Sequence, residues 1–100
     1  MNPTFTFKSE LWLWAAAKAS WHFISLPQEL STEIKGFDKD TKRRGFGSIP
    51  ITVTIGKTSW RTSIFPDKKR ATYVLPIKKE VRKKEHLVVG DKVAVKIELQ

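Results

Sequence analysis

Two stretches of the chain alternate cleanly: IPITVTIG, with Ile49, Ile51, Val53 and Ile55 on one side, and KVAVKIEL, with Val93, Val95, Ile97 and Leu99 on one side. A period of two suits extended backbone, whose successive side chains point to opposite faces. Each stretch therefore predicts a strand with one face turned to a core. Pro50 has no N–H to give a ladder, which puts that end of its strand at an edge or at the strand's start.

The same rhythm recurs elsewhere. TFTFKSELWLW (Thr4–Trp14) sets Phe5, Phe7, Leu11 and Leu13 on one side and Trp12 and Trp14 on the other. WHFISLP (Trp21–Pro27) is aromatic and β-branched, and reads as a second strand closed by Pro27. TSWRTSIF (Thr58–Phe65) follows Gly56-Lys57, a pair suited to a two-residue type II′ hairpin, so it should lie antiparallel to the strand before it. Trp60 shares a side with Thr62 and Ile64 and is expected in the core. ATYVL (Ala71–Leu75) makes a further short strand.

Two segments read as helices. PQELSTEIKG spaces Leu30 and Ile34 four apart between an early proline and a glycine stop. VLPIKKEVRKKEHL (Val74–Leu87) supplies the second, with Pro76 at its first turn. FDKDTKRRGFG, residues 37–47, has no periodicity and reads as a mobile loop. The expectation is a single domain over residues 1–100: mainly β with two short helices, a small barrel.

Composition limits the chemistry. With 100 residues the chain supports one core, and with no cysteine it has neither disulfides nor thiolate chemistry. The two histidines, His22 and His86, offer little to a transition metal. His22, between Trp21 and Phe23, reads as a structural histidine, and no nucleophile elbow surrounds Ser25. Asp38 and Asp40 resemble the start of a calcium loop that lacks its remaining ligands. Asp67 and Asp91 fall at turns, where aspartate bonds nearby backbone. No catalytic constellation, cofactor or metal site emerges, and a non-enzymatic module is expected.

No segment is long enough to span a bilayer. Ala17-Lys18-Ala19 mimics a signal cleavage site, yet Glu10 directly precedes a short apolar run rich in tryptophan. A signal peptide is not expected, and the chain is assigned to the cytoplasm.

Charge points to a partner. Nineteen Lys and Arg against ten Asp and Glu leave a formal +9, an excess that attracts polyanions. On a helical wheel advancing about 100° per residue, Ile77, Val81 and Val88 form an apolar seam. Lys78, Arg82, His86, Lys79 and Lys83 fill an uninterrupted arc opposite. Any amphipathic helix must solvate its outer face, and for one helix that plainer reading is favoured. Two further clusters, Lys68-Lys69-Arg70 and Lys42-Arg43-Arg44, shift the balance if they share the helix's face. The candidate nucleic-acid or polyanion surface is then Arg43, Arg44, Lys68, Lys69, Arg70, Lys78, Lys79, Arg82 and Lys83. The alternative is a small-ligand or peptide site walled by Trp21, Trp60 and Tyr73, with Arg61 as its cationic handle.

Taken together, ELWLW, WHFISLP, RRGFGSIPITVTIG, TSWRTSIFPDKKRATYVLPIKKEVRKKE and VGDKVAVKIEL resemble a bacterial family known as a domain of unknown function, number nineteen-oh-five. The likeness runs from about Phe5 to Leu99, and FPDKKRATYVLPIKKEVRKKE is its most specific block. The resemblance implies a double-split β-barrel, a pseudo-barrel capped by helices. That fold also serves transition-state regulators and antitoxins, which bind DNA as dimers. Those proteins build a barrel from two chains, whereas this chain has strands enough for one, so a monomer is expected. The chain departs from the family at Ala19-Ser20, where a glycine precedes the tryptophan, and at Glu85-His86, where Glu-Gly is usual.

Overall fold

The computed structural model describes residues 2–37 and 47–100. In chain order the elements are β1 (Thr4–Ala16), β2 (Ala19–Ser25), α1 (Gln28–Phe37), β3 (Ile49–Ile55), β4 (Thr58–Asp67), β5 (Thr72–Pro76), α2 (Lys79–Lys84) and β6 (Lys92–Leu99). The strands close into an antiparallel barrel in the order β1-β2-β5-β4-β3-β6.

Closure depends on two strands that change partners partway. Thr4–Glu10 of β1 pair with β6, and Leu11–Ala16 pair with β2. In β4, Thr58–Ile64 pair with β3, and Phe65–Asp67 pair with β5. Each strand is thus split between two sheets, and the ring closes with two long strands and four shorter ones. The double-split arrangement that the sequence suggested is visible in these registers. A closed ladder leaves no edge around the barrel wall.

The predicted alternations fill the interior. Ile49, Ile51, Val53 and Ile55 of β3 and Val93, Val95, Ile97 and Leu99 of β6 are all buried. Ile24, Ile64, Leu75 and Leu11 complete the wall, and Phe5, Phe7 and Trp60 pack on it half-buried. Each fully buried aliphatic side chain contributes about 1.5–3 kcal/mol relative to exposure. The β3–β4 turn is tight: Gly56 has φ +57 and Lys57 does not share the left-handed region, as a type II′ turn requires.

The helices plug the ends. Leu30 and Ile34 turn α1 inward, while Ser31 bonds it to β5. Tyr73 N–H donates to Ser31 Oγ at 3.1 Å, and Thr72 Oγ1 donates to the Leu26 carbonyl at 2.6 Å. With its own proton committed there, the Thr72 hydroxyl can only accept from Ser31, so this buried serine is satisfied as donor and acceptor. At the other end, Val81 of α2 and the preceding Ile77 are buried, and Glu85 fastens the helix end to the β3–β4 turn. Its carboxylate accepts from Thr58 Oγ1 at 2.7 Å and from the Lys57 N–H at 3.3 Å.

Four expectations are corrected. Pro76 ends β5 rather than opening the second helix, which starts only at Lys79 and has six residues. Val88 is 63% exposed and does not join the apolar seam. The helix stops after Lys84 because His86 adopts φ +54, and the chain reverses in a Schellman closure. Leu87 N–H returns to the Arg82 carbonyl at 2.9 Å, His86 N–H to that of Lys83 at 3.4 Å, and Leu87 packs where the wheel put Val88. His86 is therefore not part of a helical arc. Finally, Leu13 is 45% exposed although it lies on the inner side of its strand, because β1 runs on past the barrel there.

His86 is thus a non-glycine residue with a left-handed backbone. A side chain there costs about 1–2 kcal/mol, partly offset by the entropy of an unfolded glycine. His86→Gly is expected to raise stability by roughly 0.5–1 kcal/mol in urea unfolding with an unchanged m-value. An unchanged or lower midpoint would contradict the closure described.

Candidate aromatic and basic binding face

Beyond Leu11, β1 continues with β2 as an arm, and the outer faces of its strands are aromatic. Trp12 lies opposite Phe23 and Trp14 opposite Trp21, so all four rings share one side. Phe23 opposes Pro76, Ser25 opposes Val74, and Val74 in turn opposes Phe65, carrying the apolar surface across β5 to β4. Trp14 and Trp21 are 47% and 54% exposed, and Phe65 is 39% exposed. They bound an open groove of about 660 Å³.

The two exposed indoles differ from Trp12, which is held in place. Its Nε1–H donates to Ser25 Oγ at 2.9 Å, and its ring meets Phe23 at 5.2 Å between centroids. The Arg70 guanidinium lies 3.9 Å over its face. Arg70 comes from the β4–β5 turn, which Asp67 organises as expected of a turn aspartate. Asp67 Oδ1 accepts from the N–H groups of Lys69 at 3.1 Å and Arg70 at 3.4 Å. Its Oδ2 pairs with the Arg70 guanidinium at 2.9 Å. Asp91 behaves likewise, accepting from Val88 N–H at 2.9 Å. Lys68 and Lys69 remain at the groove wall, and among the described residues Asp67, already committed, is its only acid.

A second, more enclosed cavity of about 270 Å³ adjoins the groove. Trp21 and Pro76 line both. Its other walls bring Lys78, Lys79 and Arg82 from around α2 against His22, Ser20, Trp60 and Thr62. Arg82 donates through Nε to the Ile77 carbonyl at 3.3 Å and lies 3.3 Å from His22 Nε2 through NH1. A guanidinium has no acceptor, so Nε2 must accept and His22 is neutral with its proton on Nδ1. Partial burial, and secondarily the Arg82 charge, hold the His22 pKa below its ordinary 6.5.

Two of the three basic clusters thus line neighbouring hollows that have Trp21 and Pro76 in common, although His22 alternates with Trp21 and Phe23 and so takes the other side of β2. Lys68, Lys69 and Arg70 line the groove, and Lys78, Lys79 and Arg82 line the adjoining cavity. Lys83 is exposed on α2 but lines neither. Arg43 and Arg44, with Lys42, Asp38, Asp40 and Phe46, lie outside the described residues. Of the alternative ligand set, Trp21 and Trp60 share the cavity. Arg61 instead reaches Gln100 Oε1 at 2.9 Å, and Tyr73 is buried in the core beside α1. Sequence reasoning offers Trp12 and Trp14 as rings for stacking but favours their burial in so small a domain, and it does not reach Phe23 and Phe65. The signal was present in the opposite-face position of Trp12 and Trp14, but alternation alone does not say whether that face is covered.

Among the described residues, no group of three or more His, Asp or Glu could hold a metal ion, and no helix is long and apolar enough to cross a membrane.

Because His22 is kept neutral by the fold, its stabilising contact is fully present above pH 6.5 and fades as pH falls through the lowered value. In an NMR titration His22 is expected to titrate below 6.5. Arg82→Gln should move it only part of the way back, since burial is the larger cause. A His22 titration at or above the ordinary value would contradict the geometry.

No curated protein matches the chain. The family model described as a domain of unknown function (DUF1905) matches residues 7–97, and the chain belongs to that family.

Proposed function

We propose that this domain binds single-stranded nucleic acid along the outer face of its β1–β2 arm and β5. The observation that carries the reading is the juxtaposition of exposed Trp14, Trp21 and Phe65 with Lys68, Lys69 and Arg70 in one groove. Bases offer flat π-faces that stack on indoles without regard to sequence, and phosphates track lysine and arginine. A duplex hides its base faces, so the aromatic groove favours a single strand over the duplex that net charge alone would accept. The role is one of binding, with no reaction assigned.

A small aromatic or apolar ligand is the second reading, supported by a groove volume in the range of small-molecule sites. It differs in its response to salt. Each phosphate contact adds about 0.7 to the slope of log affinity against log salt for single strands, whereas an uncharged ligand adds almost none.

Thymidine and uridine oligonucleotides are expected to bind at low ionic strength, quench tryptophan emission and release as salt rises. Trp14→Ala and Trp21→Ala should each cost about 1–3 kcal/mol of binding. Lys68→Gln and Lys69→Gln should weaken binding and flatten the salt slope. No binding at low salt, or binding untouched by the tryptophan substitutions, would overturn the proposal.

A further inference from the structure

The cavity beside the groove has a composition of its own. Lys78, Lys79 and Arg82 supply three cationic side chains, Ser20 and Thr62 two hydroxyls, and among the described residues no carboxylate lines it. Its imidazole is neutral, because His22 Nε2 accepts from Arg82. Glu80, beside Lys79 on α2, is exposed and does not line the cavity, and Glu85 at the helix end is turned away to Thr58 and Lys57. Lys78 and Lys79 make no side-chain hydrogen bond or ion pair among the described residues.

Arg82 is fixed before any ligand arrives. Two of its five N–H donors are tied to Ile77 and His22, which leaves three on a guanidinium that is already oriented. Preorganised donors of this kind spend little entropy on capture. Three positive charges suit a dianion better than the single charge of a phosphodiester or carboxylate. Donors arriving from the arm, from β4 and from α2 surround a tetrahedral group rather than a planar one.

We propose that this cavity takes a phosphate monoester, the terminal phosphate of a strand whose bases lie in the groove. The inference rests on the nucleic-acid reading of the groove, with which the cavity shares Trp21 and Pro76. A terminal phosphate carries between one and a half and two negative charges near neutral pH, whereas an internal one carries a single charge. The cavity meets the groove at Trp21 and Pro76, so a phosphate held in it belongs to an end of the strand, and the aromatic face holds the nucleotides that follow.

The test compares short thymidine oligonucleotides bearing a 5′-phosphate, a 3′-phosphate or hydroxyls at both ends, at one salt concentration, by fluorescence quenching of the full chain. One phosphorylated form is expected to bind about tenfold tighter than the hydroxyl form, the gain of a charge-assisted contact. That ratio should fall toward one in Arg82→Gln. It should also fall in Lys79→Gln, an exposed position where the substitution leaves the packing intact. Inorganic phosphate at millimolar concentration should erase the preference without releasing the hydroxyl strand. Equal binding of all three oligonucleotides would overturn the cavity assignment and leave the groove standing. Binding of none of them would overturn both. A preference that survives in Arg82→Gln and Lys79→Gln together would place the phosphate elsewhere and also overturn it.

Discussion

The partner change within β1 is the constraint from which the rest follows. A strand of 13 residues cannot stay in register with β6, which has eight, and still close a six-stranded ring. Its hydrogen bonds pass from β6 to β2 between Glu10 and Leu11. That handover closes the barrel and simultaneously throws the far half of β1 outward with β2. Inside the barrel, alternation buries one face. Toward the tip of the arm little packs on either face, and Leu13, Trp14 and Trp21 are all exposed. Single exposed apolar residues are ordinary on soluble proteins, but a contiguous aromatic face is a surface for something else to cover.

The charge distribution fits around that face. Lys68–Arg70 are carried by the β4–β5 turn and Lys78–Arg82 by the segment after β5, so the short strand β5 separates the two clusters, the first in the groove and the second in the cavity beside it. Asp67 restrains one cluster by shaping its turn and pairing with Arg70. Such an exposed ion pair is worth at most about 1 kcal/mol, and its use is to orient Arg70 over Trp12 rather than to hold the fold together. The other cluster is restrained through Arg82, which ties β2 to α2 by way of His22.

Much of the barrel could be read directly from residue order. Ile49–Ile55 and Val93–Leu99 alternate strictly, and a period-two pattern has one structural meaning. Gly56-Lys57 named its own turn, and Asp67 and Asp91 bonded the backbone where turn chemistry requires. What could not be read was non-local. Nothing local in β1 marks Glu10–Leu11 as the point of transfer, because that register is set by strands far away in the chain. Leu13 was placed inside since alternation tells which side a residue takes, not whether anything stands on that side. Val88 was placed in a seam by assuming an unbroken helix. Nothing in the identity of His86 marks it as the left-handed residue that ends the helix. The site was half visible for the same reason, its cations evident as clusters and its aromatic floor hidden among residues that a small barrel ordinarily buries.

The most direct measurement follows the four indole N–H signals of Trp12, Trp14, Trp21 and Trp60 by NMR while a short unphosphorylated oligonucleotide is added at low salt. If the outer face created by the strand transfer is the binding surface, the Trp14 and Trp21 signals move first and furthest. Trp60, packed against the core, should respond less. Binding that leaves Trp14 and Trp21 unmoved, with shifts gathered instead around Arg61 and Lys96, would contradict the account.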